Sequence, residues 1–306
     1  MEPIIPKEKF WKEQGLIVCY IIIYASGMRF VYFIYYLGLV LISSPLPSIN
    51  KKDILFSYFK LYLKYVIFVL IFKKNILSET ILGFRLSFLD YSTFIFLFEE
   101  IFIMNVYYFE AETDNPFICD CGANVGISVL YFKKLYPNCK LLAFEPDRRA
   151  FRLLKANVRV NHFKNVRLIN SAIYKKKGFV KFYYDKAHPD SLSMSIKKGR
   201  GNSISFRKIP AVLLSSYLKE RVDFLKMDIE GVEGSVINEL FQTKKLSFVR
   251  EAVVEFHHHI EPKEDLLSQT LKIFEDSHFG YQIYTHIRMP FSRGKFQGIL
   301  IYAYKK

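Results

Sequence analysis

The residues most able to do chemistry form a turn after a short apolar run near the middle of the chain. The run 117–119 ends at an acid, Asp120, and two glycines, Gly122 and Gly126, follow four residues apart. This order predicts a strand, a tight turn and the start of a helix, because glycine adopts backbone conformations that other residues avoid. The N–H groups at a helix start carry partial positive charge, so the turn is a predicted ligand site.

A second acid, Glu145, closes the next apolar run and lies 23 residues after Gly122. A carboxylate at such a position commonly accepts hydrogen bonds from ribose hydroxyls. The turn lacks the third glycine of a dinucleotide fingerprint, and Asp120 would repel a pyrophosphate. These features favour a nucleoside that carries a cationic amino group and no phosphate, and S-adenosyl-L-methionine has that form.

Alternating strands and helices must position these residues. The predicted strands are 117–120, 140–145, 166–171, 224–228, 252–256, 281–285 and 298–304, and the predicted helices are 126–135, 148–160, 232–240 and 264–277. This alternation predicts an α/β fold with a doubly wound, mostly parallel sheet of about seven strands, the last one antiparallel. Segments 179–184 and 206–212 are predicted as extra strands, 81–88 as a strand or hairpin, and 94–108 as a helix.

Four motifs together resemble the FkbM family of S-adenosylmethionine-dependent methyltransferases. They are Asp120-Cys121-Gly122-Ala123-Asn124-Val125-Gly126, Phe144-Glu145-Pro146, Asn170-Ser171-Ala172-Ile173 and Lys226-Met227-Asp228-Ile229-Glu230-Gly231-Val232-Glu233. The resemblance covers roughly residues 82–304. It implies the Rossmann-like fold of class I methyltransferases and O-methylation, often of sugar hydroxyls in glycans or glycosylated natural products.

The resemblance also implies roles for single residues. The implied cofactor contacts are Asp120, Gly122, Asn124 and Gly126 at the methionine end, Glu145 at the ribose, and Ser171 and Ala172 at the adenine. Asp228 and Glu230, which follow the fourth strand, would face the transferable methyl group. Asn124 could instead only cap the helix, because Asn is a favoured N-cap residue, and Ser171 could be no more than a small residue at a strand end.

Methyl transfer to a hydroxyl needs a base near the acceptor oxygen or a metal that acidifies it. Asp228, Glu230 and His257 are therefore the candidate catalytic residues. In the triplet 257–259 only His257 and His259 could face one ion, since neighbouring strand residues point to opposite faces. With Asp228 they could form a nitrogen and oxygen site, but a solvated histidine at a strand end is the commoner arrangement, and we predict no metal site.

Composition sets the broad class. The chain has 306 residues, of which 51% are hydrophobic, enough for one large α/β domain plus an extension. Net charge is +15, and the block 175–208 is densest in Lys and Arg, so it is either a solvated loop or a surface that attracts anions. No pair of the four cysteines has zinc-finger spacing, and Cys119 and Cys121 are predicted to be reduced, as in a cytosolic domain.

The N-terminal region is strongly apolar. Residues 16–44 carry one charge, Arg29, and are long enough to span a bilayer, while no cleavable signal peptide is predicted. Two shorter helices, 16–25 and 30–42, could instead lie on a membrane or pack on the globular domain. A second apolar run, 65–72, is too short to span alone.

These features divide the chain into two predicted parts. Residues 1–75 form a hydrophobic helical extension that could contact a membrane through 10–74, and residues 76–306 form a cytoplasmic catalytic domain. The leading hypothesis is an S-adenosylmethionine-dependent O-methyltransferase that methylates a sugar hydroxyl. The acceptor carrying that hydroxyl is expected to be a glycan or a glycosylated small molecule.

Two alternatives belong to other classes. The basic charge would suit an RNA methyltransferase, but the chain shows no appended RNA-binding motif of the usual kinds, and we expect no specific nucleic-acid partner. A catalytically silent, membrane-bound binding module would keep the fold without turnover. Intact acids at Asp120, Glu145 and Asp228 count against that module.

Overall fold

The computed structural model describes residues 29–42, 49–185, 194–198, 205–260, 266–285 and 297–306. The predicted helix 16–25, Cys19 and part of the basic block 175–208 lie outside the described residues.

The N-terminal part of the described chain is helical and ends in a hairpin and a further helix. In order, the elements are α1 (Arg29–Ile42), α2 (Lys51–Lys64), β1 (Ser78–Ile81), β2 (Phe84–Ser87) and α3 (Tyr91–Phe98). Two of the helices continue as π-helix, α2 through Tyr65–Ile71 and α3 through Glu99–Ile103. The segment 81–88, predicted as a strand or hairpin, contains the turn and second strand of a hairpin that begins at Ser78.

The rest of the described chain alternates strands and helices. The elements are β3 (Phe117–Cys121), α4 (Ile127–Leu135), β4 (Lys140–Phe144), α5 (Arg148–Val160), β5 (Val166–Ile169), β6 (Ala172–Ile173), β7 (Gly178–Tyr184), β8 (Ser205–Val212), β9 (Val222–Met227), α6 (Glu233–Gln242), β10 (Val249–His258), α7 (Leu267–Asp276), β11 (Phe279–Thr285) and β12 (Gln297–Lys305). The helix predicted at 148–160 has those bounds because Asp147 caps it, accepting from the backbone of Arg149 and Ala150.

Seven strands form one sheet in the order β11-β12-β10-β9-β3-β4-β5. Strands β5, β4, β3, β9 and β10 pair in parallel, and β12 lies antiparallel to both β10 and β11. The predicted fold is therefore confirmed, including the antiparallel end of the sheet. Chain order reverses between β3 and β9, and ligands of such sheets bind beyond the strand ends at that point.

The two additional predicted strands, β7 and β8, form a separate sheet with β6 in the order β6-β8-β7. A small core of Ala172, Phe182, Ile209 and Ala211 lies beneath it. Because Ser171 and Ala172 lead from the main sheet into this small one, the segment can close one side of the cavity described below.

The helical extension packs into the same core as β3 and α4. Tyr58 of α2 is buried, its ring lies 6.3 Å from that of Phe98, and its hydroxyl donates to Glu99 at 2.6 Å. One turn further along α2, the ring of Phe33 in α1 stacks on Tyr62 at 4.1 Å, and it also lies 5.3 Å from the ring of Tyr58. Aromatic packing thus joins α1 to α2 and α2 to α3.

The apolar run 65–72, which is too short to span a bilayer alone, is joined to the helix before it. It is the last part of a continuous helix, Lys51–Ile71, whose start is capped by the side chain of Asn50. Lysines spaced through α2 hide its apolar periodicity. Within the described part of the chain this is the one helix long and apolar enough to cross a bilayer, a criterion that buried core helices also meet.

Helix α3 also differs from its predicted bounds of 94–108. It starts at Tyr91 because the side chain of Asp90 accepts from the backbone of Thr93 at 2.7 Å, an N-cap that the sequence reading missed. Its π-helical continuation ends at Ile103. Glu100 lies in this continuation and lines the cavity described below.

Candidate active site

The turn after β3 lies in close contact with the loop after β9. Gly122 has φ +91°, and a Cβ placed there would lie 1.9 Å from the carbonyl oxygen of Asp228. Gly126 has φ +95° and forms the N-cap of α4, where a Cβ would lie 2.7 Å from Leu154. A side chain at Gly122 would collide with the backbone of Asp228, so the close approach of the ends of β3 and β9 requires glycine there.

A cavity of about 260 Å³ opens at these strand ends. Seven of the ten predicted site residues line it, namely Gly122, Asn124, Glu145, Ser171, Ala172, Asp228 and Glu230. The other three lie behind its wall. Gly126 packs against Leu154, Asp120 is fully buried, and His257 lies behind the carboxylates of the β9 and β10 ends.

Glu145 lies in the cavity wall at the end of β4 and fixes the turn. Its carboxylate accepts from the backbone N–H groups of Asn124 at 2.8 Å and Asp147 at 2.6 Å. Burial raises the pKa of Glu145 to about 8, even though the Asn124 N–H stabilises the charged form. The side chain of Asn124 accepts from the backbone of Val125, so it does not cap α4, whose N-cap is Gly126.

Asp120 is buried beneath the cavity wall and contacts Ser128 and Lys226. Its carboxylate accepts from the hydroxyl of Ser128 at 2.6 Å and lies 3.4 Å from the ammonium of Lys226, its register partner on β9. Lys226 also donates to the carbonyl of Gly122 at 2.6 Å. Burial opposes the charge of Lys226, but Asp120 and Asp228 outweigh it and raise the lysine pKa. Asp120 therefore contacts the turn indirectly, through Ser128 and Lys226.

Four further carboxylates line the cavity besides that of Glu145. They belong to Glu100, Asp228, Glu230 and Glu255. Burial, helped by the charge of Asp228, raises the pKa of Glu100 to about 7. Repulsion from Asp228 is the main reason, with burial second, that the pKa of Glu255 rises to about 8. Both groups therefore exchange protons near neutral pH.

His257 lies behind these acids and is buried. Its Nδ1 is 2.9 Å from Glu233 and its Nε2 is 3.2 Å from Glu230. Burial lowers the pKa of His257, but Glu233 and the other carboxylates overcome this and raise it to about 10. The imidazole is therefore cationic at neutral pH, which suits holding carboxylates in place rather than taking a proton.

Two residues that the sequence reading missed also line the cavity. Glu255 stands two residues before His257 on β10, and strand alternation places both on one face, so this signal was present in the sequence. Glu100 comes from the π-helical turn after α3, and only the fold brings it to the cavity. His259, considered as a partner of His257, follows the strand at a left-handed bend with φ +59°.

Comparison with known proteins agrees with this architecture. Residues 120–283 match the model of the Methyltransferase FkbM domain. The chain is 28% identical over 191 residues to Methyltransferase sdnD of Sordaria araneosa, covering 52% of this chain and 73% of the relative. It is 28% identical over 143 residues to 2-O-methyltransferase NoeI of Sinorhizobium fredii, covering 41% of this chain and 58% of that relative.

Among solved structures, Methyltransferase FkbM from Methylobacillus flagellatus KT aligns at 19% identity with a TM-score of 0.42, covering 64% of this chain and 45% of that one. The sheet order described above, rather than this partial alignment, establishes the fold. Because the family model covers more than half of the sequence, the chain belongs to the FkbM methyltransferase family and is a methyltransferase enzyme.

Proposed function

We propose that this enzyme transfers the methyl group of S-adenosyl-L-methionine to a hydroxyl of a sugar in a glycan or glycosylated metabolite. The observation that carries the proposal is the group of four carboxylates, Glu100, Asp228, Glu230 and Glu255, that line the same cavity as the glycine turn. Carboxylates accept hydrogen bonds from neighbouring hydroxyls and can take their protons. The relative named as a 2-O-methyltransferase supports transfer to oxygen.

The residues present fit the cofactor. Glu145 ends β4 with a carboxylate that retains acceptor capacity for ribose hydroxyls, and Ser171 and Ala172 offer a small-residue wall for a planar base. The acidic cavity attracts a cationic ligand. When bound, the sulfonium supplies an activated methyl group and a neutral leaving thioether, so the protein must add alignment and proton removal.

We assign the chain's own residues to those two tasks. Asp228 and Glu230 hold the acceptor through hydrogen bonds to its hydroxyls. Glu100 takes the hydroxyl proton, because its pKa of about 7 lies near the working pH, where a general base is most effective. His257 keeps the carboxylates of Glu230 and Asp228 oriented toward the cavity.

Cofactor binding and methyl transfer test this proposal separately. The purified full chain is titrated with S-adenosyl-L-methionine by calorimetry and then incubated with methyl-labelled cofactor and glycan extracts. We expect saturable binding that Glu145→Ala weakens at least about tenfold, the equivalent of about 1.4 kcal/mol, and label recovered in carbohydrate. The exposed Glu112 provides the control variant Glu112→Ala.

Two results would overturn these assignments. Unchanged cofactor affinity in Glu145→Ala contradicts the ribose contact. Label recovered at one site of an RNA, with none in carbohydrate, replaces the sugar acceptor with a nucleic acid.

We also propose that the face shared by α1 and α2, the apolar face, lies on an anionic membrane surface with the catalytic domain on its cytoplasmic side. Both helices expose large apolar side chains, among them Val31, Ile42, Phe56, Phe59 and Leu63. Exposed apolar patches of this kind mark contact sites, and amphipathic helices rich in lysine bind anionic lipid. Lys51, Lys52, Lys73 and Lys74 lie at the ends of the long helix and supply the complementary charge.

Vesicle flotation tests the membrane proposal with a matched pair of variants. Phe56 on the apolar face is 72% exposed, and Phe179 on β7 is 76% exposed but lies on another surface. We expect the full chain to float with vesicles that contain phosphatidylserine, Phe56→Ser to reduce the bound fraction, and Phe179→Ser to leave it unchanged. Equal losses in the two variants, or no flotation at low salt, would contradict the proposal.

A further inference from the structure

We propose that Asp228, Glu255 and His257 form a binding site for one divalent metal ion at the wall of the cavity. The use of this ion in catalysis rests on the proposed function, but the existence of the site does not. The three residues come from the end of β9 and from β10, and two of them line the cavity. An ion held there would therefore face the acceptor.

The distances among the three donor atoms fit such an ion. One atom from each residue lies within 4.8 Å of the other two. The Nε2 of His257 is 3.9 Å from the Asp228 carboxylate and 3.8 Å from that of Glu255. A triangle of this size contains a point about 2.5 Å or less from each atom, which compares with usual bond lengths of about 2.0–2.6 Å for oxygen and nitrogen ligands.

Rigid elements hold the donors in place. Strands β9 and β10 pair in parallel with Met227 opposite Val254, so Asp228 and Glu255 follow directly from paired positions. The Nδ1 of His257 is 2.9 Å from Glu233, whose carboxylate also accepts from the backbone of Gly231 at 2.9 Å. A carboxylate behind the far nitrogen is the usual support of a metal-binding histidine, because it fixes the ring with the other nitrogen toward the ion.

Charge around the site favours a cation. The carboxylates of Glu100, Asp228, Glu230 and Glu255 line the cavity here, and Lys226 is a nearby described cation. His257 is cationic only without the ion, because a bound ion would displace the proton from its Nε2. Two carboxylates and an imidazole suit Mn²⁺ and related divalent ions, since oxygen ligands favour hard cations and imidazole favours transition metals. This donor set differs from the pair of histidines weighed from sequence, because Glu255 replaces His259.

The ion would have a defined use in the proposed reaction. A cation beside the acceptor lowers the pKa of its hydroxyl. The proton passes to Glu100, the oxygen forms a bond to the methyl carbon, and the carbon–sulfur bond breaks with its electron pair left on sulfur. No oxidant or reductant takes part.

Metal binding to the full chain tests this inference without relying on activity. Protein freed of metal with a chelator is titrated with Mn²⁺, and free Mn²⁺ is followed by electron paramagnetic resonance. The variants are Glu255→Gln and, as control, Glu251→Gln, which lies four residues away on the same face of β10. Binding of S-adenosyl-L-methionine and circular dichroism of each variant confirm that it is folded.

We expect one saturable Mn²⁺ site. Glu255→Gln should lower its Mn²⁺ affinity at least about tenfold, in line with the effect of losing a supporting or direct ligand. Glu251→Gln should change that affinity less than about twofold. Absence of saturable Mn²⁺ binding, or equal affinity in Glu255→Gln, overturns the inference. Cofactor affinity separates the two proposals. A protein that binds S-adenosyl-L-methionine but shows no saturable Mn²⁺ binding disproves only the metal site.

Discussion

Substitution of Lys226 is the sharpest test of how the cavity is held together. Its ammonium is almost fully buried, lies 3.4 Å from the wholly buried carboxylate of Asp120, and donates to the Gly122 carbonyl at 2.6 Å. At an effective dielectric of about 20, two charges at that separation attract by about 5 kcal/mol. Removing one partner of a buried pair typically costs about 3–5 kcal/mol, because the other charge remains buried and unpaired.

We therefore expect Lys226→Met to lower the free energy of unfolding by about 3–5 kcal/mol, measured by urea denaturation followed by circular dichroism. The double variant Lys226→Met with Asp120→Asn removes both charges and is expected to recover at least about half of the loss. A loss under about 1 kcal/mol in the single variant, or a double variant no more stable than the single one, would refute the reasoning.

Three further predictions concern the turn, the buried histidine and the helical extension. Gly122→Ala is expected to cost at least about 2 kcal/mol in urea denaturation because its Cβ meets the Asp228 carbonyl at positive φ, whereas Gly178→Ala, at φ +141° with nothing within 4 Å, measures the backbone strain alone. The raised pKa of His257 contributes stability that is complete below pH about 6.5 and is lost as pH rises toward about 10. Glu233→Gln should therefore make the free energy of unfolding depend less on pH over this range. An unchanged pH dependence in the variant would contradict the contact between His257 and Glu233. Tyr58→Ala is expected to lower stability by about 3–5 kcal/mol, as other buried aromatic truncations do, and a loss under about 1 kcal/mol would contradict packing of α2 on α3.

Elements with strong local signals could be predicted from sequence. The helix 148–160 has its predicted bounds because Asp147 is a clear N-cap, and strands β3 and β4 follow the apolar runs 117–119 and 141–144. The start of α2 was missed because lysines interrupt its apolar side, and its buried face becomes visible only when α1 and α3 pack against it.

Site residues at the ends of strands could be predicted from the motifs. Residues within the strands or on preceding helices were harder to place. Glu145 and Asp228 line the cavity because strand ends meet at the point of reversal. Asp120, predicted as a cofactor contact, is fully buried and pairs with Lys226 on the neighbouring strand, a partner that the sequence alone does not reveal. Glu100 carried no signal because its contribution depends on the three-dimensional packing of a helix that lies before the core motifs.

Mass spectrometry of glycans and glycosylated metabolites tests the central claim most directly. Extracts are compared from cells that contain the protein, cells that lack it, and cells that carry Glu145→Ala in its place. We predict that one carbohydrate methyl ether is lost without the protein, returns with the native chain and stays absent with Glu145→Ala. Carbohydrate methylation that is the same in all three extracts would contradict the account.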